Sequence, residues 1–484
     1  MTESISRQMS DDERLRRFGY EPKLDRSMGL WSSFAISISC MCVTAGVFTT
    51  YAYAMGKVGP VFVWTWVVVA IGQILVGLVL AELASRMPIS GYAYQWASRL
   101  TNSHYGWFVG WLGLMAFIPG FTGLNYGLAG ILLPKLGIEA SAVTLSVAAG
   151  IATLTQLVIN VAGVRIASRI NTTVAFAVEI TLSVLMTLIL LVVGFFTNKQ
   201  HDLSYLTHHS SGSTSYLTAL MLSSLLAMWV LTGFEGAADL AEETKLPSSF
   251  VPKAVMRSLY FAVVVGFFMI VGLTINNPGG LNDGDPATIL EHALGSFGGT
   301  VFEVIAMIAL YAGGLANMAA ASRLMFSLGR DKMLPASHLL GEVSPRTKVP
   351  AATLVVVSVI SLLLVGVGMF STDAMARIVG MAALGYYGVY ALTILAVILA
   401  AVGGRLPNAE GADVFTLGAS ARVVRIAALV WTVVVVAALI IPADNHPSAQ
   451  TAGIFLLLAV VWYFAYLRGK LNTRQAGVPD HVTE

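Results

Sequence analysis

Apolar runs as long as a membrane-spanning helix, separated by short polar stretches, recur from residue 28 almost to the end of the chain. At about 1.5 Å of rise per residue, crossing a hydrocarbon core of about 30 Å takes roughly 20 apolar residues in a helix. Twelve spans meet that requirement, near 28–55, 60–82, 106–134, 140–161, 170–196, 216–241, 257–276, 300–326, 351–369, 376–400, 422–441 and 450–467. An even number of spans returns the chain to the side it started from. Lys and Arg choose that side, because they concentrate in cytoplasmic loops. Of the 28 in the chain, only Lys57, Lys135, Lys199 and Arg377 fall on one side; all others lie in the two tails and the alternate loops. Both termini are therefore expected in the cytoplasm, with the protein a multi-pass component of the cytoplasmic membrane.

Composition agrees and removes other classes. Charged residues are 11% of the chain and hydrophobic ones 56%, against roughly 25% charged in soluble domains. The lipid bilayer is the main partner, and no motif points to nucleic acid. Cys40 and Cys42, the only cysteines, lie two apart in an apolar run, where they neither pair nor make a metal spacing. His208 and His209 sit in a Ser-rich loop and are read as solvated. No nucleophile–base set, metal cluster or cofactor motif is present, so no enzymatic activity, metal or cofactor is expected. The organisation expected is a polar tail over 1–27, unlike a cleavable signal peptide, a ten-helix core over 28–404, two further helices over 405–467 and a second tail over 468–484.

Two spans carry residues that a lipid-buried helix does not hold without reason. In the sixth, Trp229-Val-Leu-Thr-Gly-Phe-Glu-Gly-Ala-Ala-Asp239 places Gly233, Glu235, Gly236 and Asp239 at membrane depth. A carboxylate there costs at least ~2.5 kcal/mol on insertion scales, and glycine loosens the backbone beside it. Secondary transporters build substrate sites from helices broken in this way. Carbonyls freed from Trp229 to Thr232 suit an ammonium group, and Glu235 is placed to sense protonation or pair with a cation. Glu235 and Asp239, four apart, share a helix face.

The first span is interrupted at Thr44-Ala-Gly-Val-Phe-Thr-Thr50, where Gly46 is expected to leave helical geometry. A half-helix starting there would offer free amides and a partial positive charge to a carboxylate; a small-residue packing face is the alternative. Breaks in spans one and six are the pattern of two inverted five-helix repeats. The fold expected is all-α, with those repeats followed by two C-terminal helices.

Other buried polar residues add detail. Glu179, inside the fifth span, is expected to face the bundle, either as a proton-linked group or as a structural acid. Glu82 and Arg86 form an i,i+4 pair at a helix end. Arg323 is expected to meet Glu242 or Glu243, and Tyr311, Tyr386, Tyr387 and Tyr390 are candidates to line a cavity.

Four stretches in order carry a resemblance. They are Ala45-Gly-Val-Phe48, Ala81-Glu-Leu-Ala-Ser-Arg-Met-Pro-Ile-Ser-Gly-Tyr-Ala-Tyr-Gln-Trp96, Gly233-Phe-Glu-Gly-Ala-Ala-Asp-Leu-Ala-Glu-Glu-Thr244, and Ala321-Ser-Arg-Leu-Met-Phe-Ser-Leu-Gly-Arg-Asp-Lys-Met-Leu-Pro335. Through them the chain resembles the amino acid–polyamine–organocation transporters, and within these the amino acid/choline branch, over roughly residues 15 to 470. The resemblance implies alternating access. It implies a substrate carboxylate on amides around Thr44, Ala45, Gly46 and Val47, and an α-amino group on carbonyls of Cys42, Trp229 and Thr232. Gly233 and Phe234 complete the site, Trp229 would cover the substrate, and Glu235 would respond to pH, with Glu179 the second proton-coupling candidate. Departures are Glu235 where relatives often have Asp, Asp239 where they have His, and Gly91-Tyr92 in place of Gly-Gly-Tyr. The extra acid favours a cationic or amine-bearing substrate. The function expected is secondary active transport of amino acids or related amines, coupled to protons or to exchange. The alternative is a choline or polyamine carrier.

Overall fold

A computed structural model describes residues 11–197, 200–210, 212, 214–370, 374–407 and 414–479, without the side chains of 164–166 and 374–375. Lys199, the 408–413 part of the loop before the last two spans, and the outer ends of both tails lie outside the described residues. A short α1 (Asp11–Arg17) precedes a first membrane segment in two pieces, α2 (Leu30–Met41) and α3 (Val43–Val58). Next come α4 (Val63–Arg86), α5 (Tyr92–Leu100), α6 (Ser103–Lys135) and α7 (Ala142–Val161). The fifth segment joins α8 (Val164–Val174) to α9 (Ser183–Val192) through a π-helical stretch, Ala175–Leu182. The sixth is in three pieces, α10 (Tyr216–Ser223), α11 (Leu225–Val230) and α12 (Gly236–Asp239). Beyond it run α13 (Pro247–Ile275), α14 (Pro286–Arg330), the short α15 (Ser337–Leu340), α16 (Ala351–Gly368), α17 (Ala374–Val402), α18 (Ala421–Ile440), α19 (His446–Trp462) and α20 (Arg468–Asn472).

Among the described residues 11 helices are long and apolar enough to cross a membrane. The expected span 216–241 is the exception, because its apolar helix stops at Val230. Helix ends differ from expectation where polar first turns hide the start. α13 begins at Pro247, well before 257, since a proline at the first position needs no amide partner. α14 begins at Pro286 and bends at Gly295, whose φ is 74°.

The side chains are arranged inside out relative to a soluble bundle. On α7, Val143, Val147, Ile151, Leu154 and Val158 recur every three or four residues and are all exposed, forming a stripe for lipid. The opposite face buries Ser146, Thr153, Gln156 and Asn160, with Gln156 and Asn125 exchanging amide hydrogen bonds of 2.8 and 3.0 Å. Small residues bring the central helices together, as expected where lipid supplies no hydrophobic drive for helix association. At Gly385 of α17, a Cβ would stand 2.6 Å from the Ala116 backbone nitrogen of α6.

Both tails cover one face. The Met28 amide donates to the Glu243 carbonyl at 3.0 Å, and the Lys245 amide to the Met28 carbonyl at 2.9 Å. The Tyr20 hydroxyl donates to the Asp331 carboxylate at 2.8 Å, and the Gly477 amide to the Asp331 carbonyl at 2.9 Å.

Gly385→Ala is expected to lower the thermal unfolding midpoint of the purified protein by several degrees, an overpacking cost of about 1–3 kcal/mol. Gly366→Ala, which meets nothing within 4 Å, is the control expected to leave it unchanged.

Candidate functional site

Both interruptions are present, and they touch. In the first segment the residue that leaves helical geometry is Cys42 (φ 50°, ψ 55°), not Gly46. Thr44, Ala45, Gly46 and Val47 all lie inside α3. Gly46 instead allows close packing, since a Cβ there would stand 2.9 Å from Val230 Cγ2. In the sixth segment the helix ends at Val230 and resumes at Gly236, leaving Leu231, Thr232, Gly233, Phe234 and Glu235 unwound. Gly233 has a φ of 86°, and a Cβ on it would meet the Cys40 carbonyl oxygen at 2.9 Å. Glycine is required there for both reasons.

Unwound backbone inside a membrane must find partners within the protein. The Cys40 carbonyl accepts from Asn317 Nδ2 at 3.1 Å, and Tyr386 donates to Asn317 Oδ1 at 3.0 Å. The Leu231 carbonyl accepts from Gln73 Nε2 at 2.9 Å, and the Met228 carbonyl from the Tyr387 hydroxyl at 3.1 Å. Thr232 Oγ1 returns to the Trp229 carbonyl at 2.7 Å. Three of the four tyrosines singled out in the sequence thus gather at the breaks. Tyr311 does not; its hydroxyl meets Thr155 at 2.9 Å in an exposed position.

Four buried carboxyl groups lie along the sixth segment or against the first. Glu235 is fully buried and accepts from the Tyr390 hydroxyl at 2.9 and 2.8 Å. Asp239, one turn on and equally buried, has no hydrogen-bond partner for either carboxyl oxygen among the described residues. Glu179, within the π-helical stretch, accepts from Thr44 Oγ1 at 3.2 Å, and Thr44 Oγ1 also lies 2.5 Å from Ser183 Oγ. The Thr44 amide faces Glu179 too, and the Ala45 amide faces the Cys42 sulfur. The Gly46 amide donates to the Cys42 carbonyl at 2.8 Å. The fourth, Glu243, pairs with Arg323 at 2.7 Å with both side chains buried.

That pair belongs to a layer of ion pairs on the face covered by the tails. Arg330 holds Glu242 at 3.1 Å. Glu82 is held by Arg86 at 2.9 Å, as its spacing predicts, and by Arg425 of α18 at 2.6 Å. Nothing local in the sequence marks Arg425, Gln73 or Asn317 for these roles. An isolated amide or arginine in an apolar run was the available signal, but its partner lies more than 150 residues away in each case. Among the described residues no group of three or more His, Cys, Asp or Glu is placed to hold a metal.

Residues 28–464 match the family model described as amino acid permease. Amino-acid permease BAT1 of Arabidopsis thaliana is 26% identical, over 94% of this chain and 95% of its own length. Amino-acid permease 2 of Neurospora crassa is 25% identical, over 78% of this chain and 73% of that protein. Among solved structures, a mutant manganese transporter of Eremococcus coleocola superposes with a TM-score of 0.56 at 13% identity, covering 92% of this chain and 93% of that one. At that identity the likeness concerns the fold.

Arg323→Gln is expected to destabilise the protein by about 3–5 kcal/mol, because it strands the Glu243 carboxylate without a partner. Arg323→Met combined with Glu243→Leu should recover most of that loss, measured as thermal unfolding of purified protein.

Proposed function

Because the chain belongs to the amino acid permease family, we propose that it moves amino acids or related amines by alternating access, as a secondary active transporter coupled to protons or to exchange. That it is a multi-pass membrane transporter of a small molecule follows from the family. One observation carries the finer reading: the unwound backbone at Cys42 and at Leu231–Glu235 meets across Cys40 and Gly233, beside buried carboxyl groups. The substrate-binding set proposed is Cys42, Thr44, Ala45, Gly46 and Val47 with Trp229, Thr232, Gly233, Phe234 and Glu235. The Arg-rich face covered by both tails is assigned to the cytoplasm on the distribution of Lys and Arg. We read its ion pairs as those of a conformation shut on that side, and take the core as ten helices with two more appended.

In this reading Glu235 is the principal proton-coupling group. Its only side-chain partner among the described residues is the Tyr390 hydroxyl. Losing or gaining a proton there changes which way that hydroxyl donates, and so changes the hold of α17 on the sixth segment. Glu179 is the second candidate, since it grips the start of α3 through Thr44.

Glu179 also favours a second reading. A carboxylate already faces the Thr44 amide, and a substrate bearing its own carboxylate must displace it or share the site with it. A choline- or polyamine-like amine faces no such competition. Inhibition of uptake by free amino acids, compared with their decarboxylated analogues, separates the two: stronger inhibition by the decarboxylated compounds selects the amine carrier.

Glu235→Gln is expected to flatten the pH dependence of uptake into proteoliposomes while leaving substrate exchange measurable. An unaltered pH profile removes Glu235 from the coupling role. Gly46→Leu is expected to weaken substrate affinity at least tenfold by wedging α3 away from Val230, and retained affinity would place the substrate elsewhere.

A further inference from the structure

A cavity of about 930 Å³ lies between the two tails, away from the helix breaks. It adjoins a second of about 630 Å³, and the two share Lys23, Arg330, Lys332 and Gln475 as walls. We propose that this joint cavity binds a phosphate-bearing anion, either the headgroup of a membrane lipid or a soluble phosphorylated metabolite.

Charge is the first reason. Arg99 and Arg474 add to the first cavity and Lys470 to the second. The acids on the wall are already engaged. Asp331 accepts from Tyr20 at 2.8 Å, Tyr94 at 2.6 Å and Gln95 at 2.8 Å, and Glu21 pairs with Arg16 at 3.3 Å. Lys23 and Lys332 are exposed and make no ion pair among the described residues.

The donors are the second reason. Lys23 and Lys332, on the wall that both cavities share, carry ammonium groups with no ion-pair partner among the described residues, and Arg99 and Arg330 line the first cavity beside them. The 33-residue helix α6 starts at Ser103 on the same wall, and a helix start favours negative charge within its first turn.

Size and position are the third. The volume is that of a small-molecule site rather than of a bare ion. The walls come from the ends of α6, α14 and α20, which is headgroup depth on the side assigned to the cytoplasm. Basic pockets at that depth suit phosphorylated headgroups.

A bound anion would bridge the N-terminal segment, the end of α14 and the C-terminal tail. Arg330 is also the partner of Glu242 and stacks on Tyr20 with 3.6 Å to the ring centroid. Occupancy therefore holds this face shut and slows transport, because a ligand that prefers one conformation shifts the population toward it.

Binding is read without transport, so the test stands whatever the substrate is. Full-length protein in nanodiscs is assayed for thermal unfolding with inorganic pyrophosphate, or with phosphatidic acid replacing part of a phosphatidylcholine bilayer. Either probe is expected to raise the midpoint by several degrees. The exposed pair K23Q/K332Q should lose that rise and keep the ligand-free midpoint, while K253Q/R422Q, with the same charge change elsewhere on this face, should retain it. A rise with phosphatidic acid alone assigns a lipid, and one with pyrophosphate alone a soluble ligand. A midpoint unmoved by both probes, a rise that survives in K23Q/K332Q, or equal loss in both double variants would overturn the proposal.

Discussion

Inside a bilayer every backbone N–H and C=O must be satisfied by the protein itself, since water is not there to do it. This structure breaks two helices under that constraint, and the rest of the core is organised around compensating for it. Gln73, Asn317, Tyr386 and Tyr387 come from three different helices, α4, α14 and α17, and form a network that serves the carbonyls released at Cys40, Met228 and Leu231. The glycines follow from the same need. Gly233 lets the sixth segment turn against Cys40, and Gly385 lets α17 come close enough to α6 for its tyrosines to reach inward.

The second organising interaction is the layer of arginine–carboxylate pairs under the tails. Apart from Arg86–Glu82 within α4, the pairs join elements distant in sequence: α14 to the Ala241–Glu243 turn, and α18 to α4. Buried pairs of this kind contribute little net stability relative to apolar packing, but breaking one is costly. They tie named elements to one another rather than adding to the net stability of the core. The breaks and this layer are connected through one short stretch, since Glu235, Asp239, Glu242 and Glu243 lie within nine residues.

Much of the architecture was legible in the chain because lipid imposes a simple rule: long apolar runs must be helices, and polar interruptions in them need a reason. Gly233, Glu235 and Asp239 announced the sixth break correctly. For the first break the sequence points to Gly46, since glycine leaves helical geometry most easily, whereas the backbone departs at Cys42. A Cys adopts the left-handed conformation here with Asn317 supporting the neighbouring carbonyl, and no local pattern encodes that support. For the same reason Arg323 could be matched to an acidic pair but not to one member of it. Arg330, about two turns further on, takes Glu242 and leaves Glu243. The engagement of Glu179 with Thr44 depends on how the π-helical stretch turns the acid, which periodicity cannot foresee.

The chain's last described residues hydrogen-bond to positions made much earlier, Gly477 to Asp331 and Val478 to Ser103. During synthesis those earlier positions are made long before residues 477 and 478 and wait for them as partners. These contacts therefore form after the helices that carry Ser103 and Asp331, and a chain trimmed short of Gly477 lacks them.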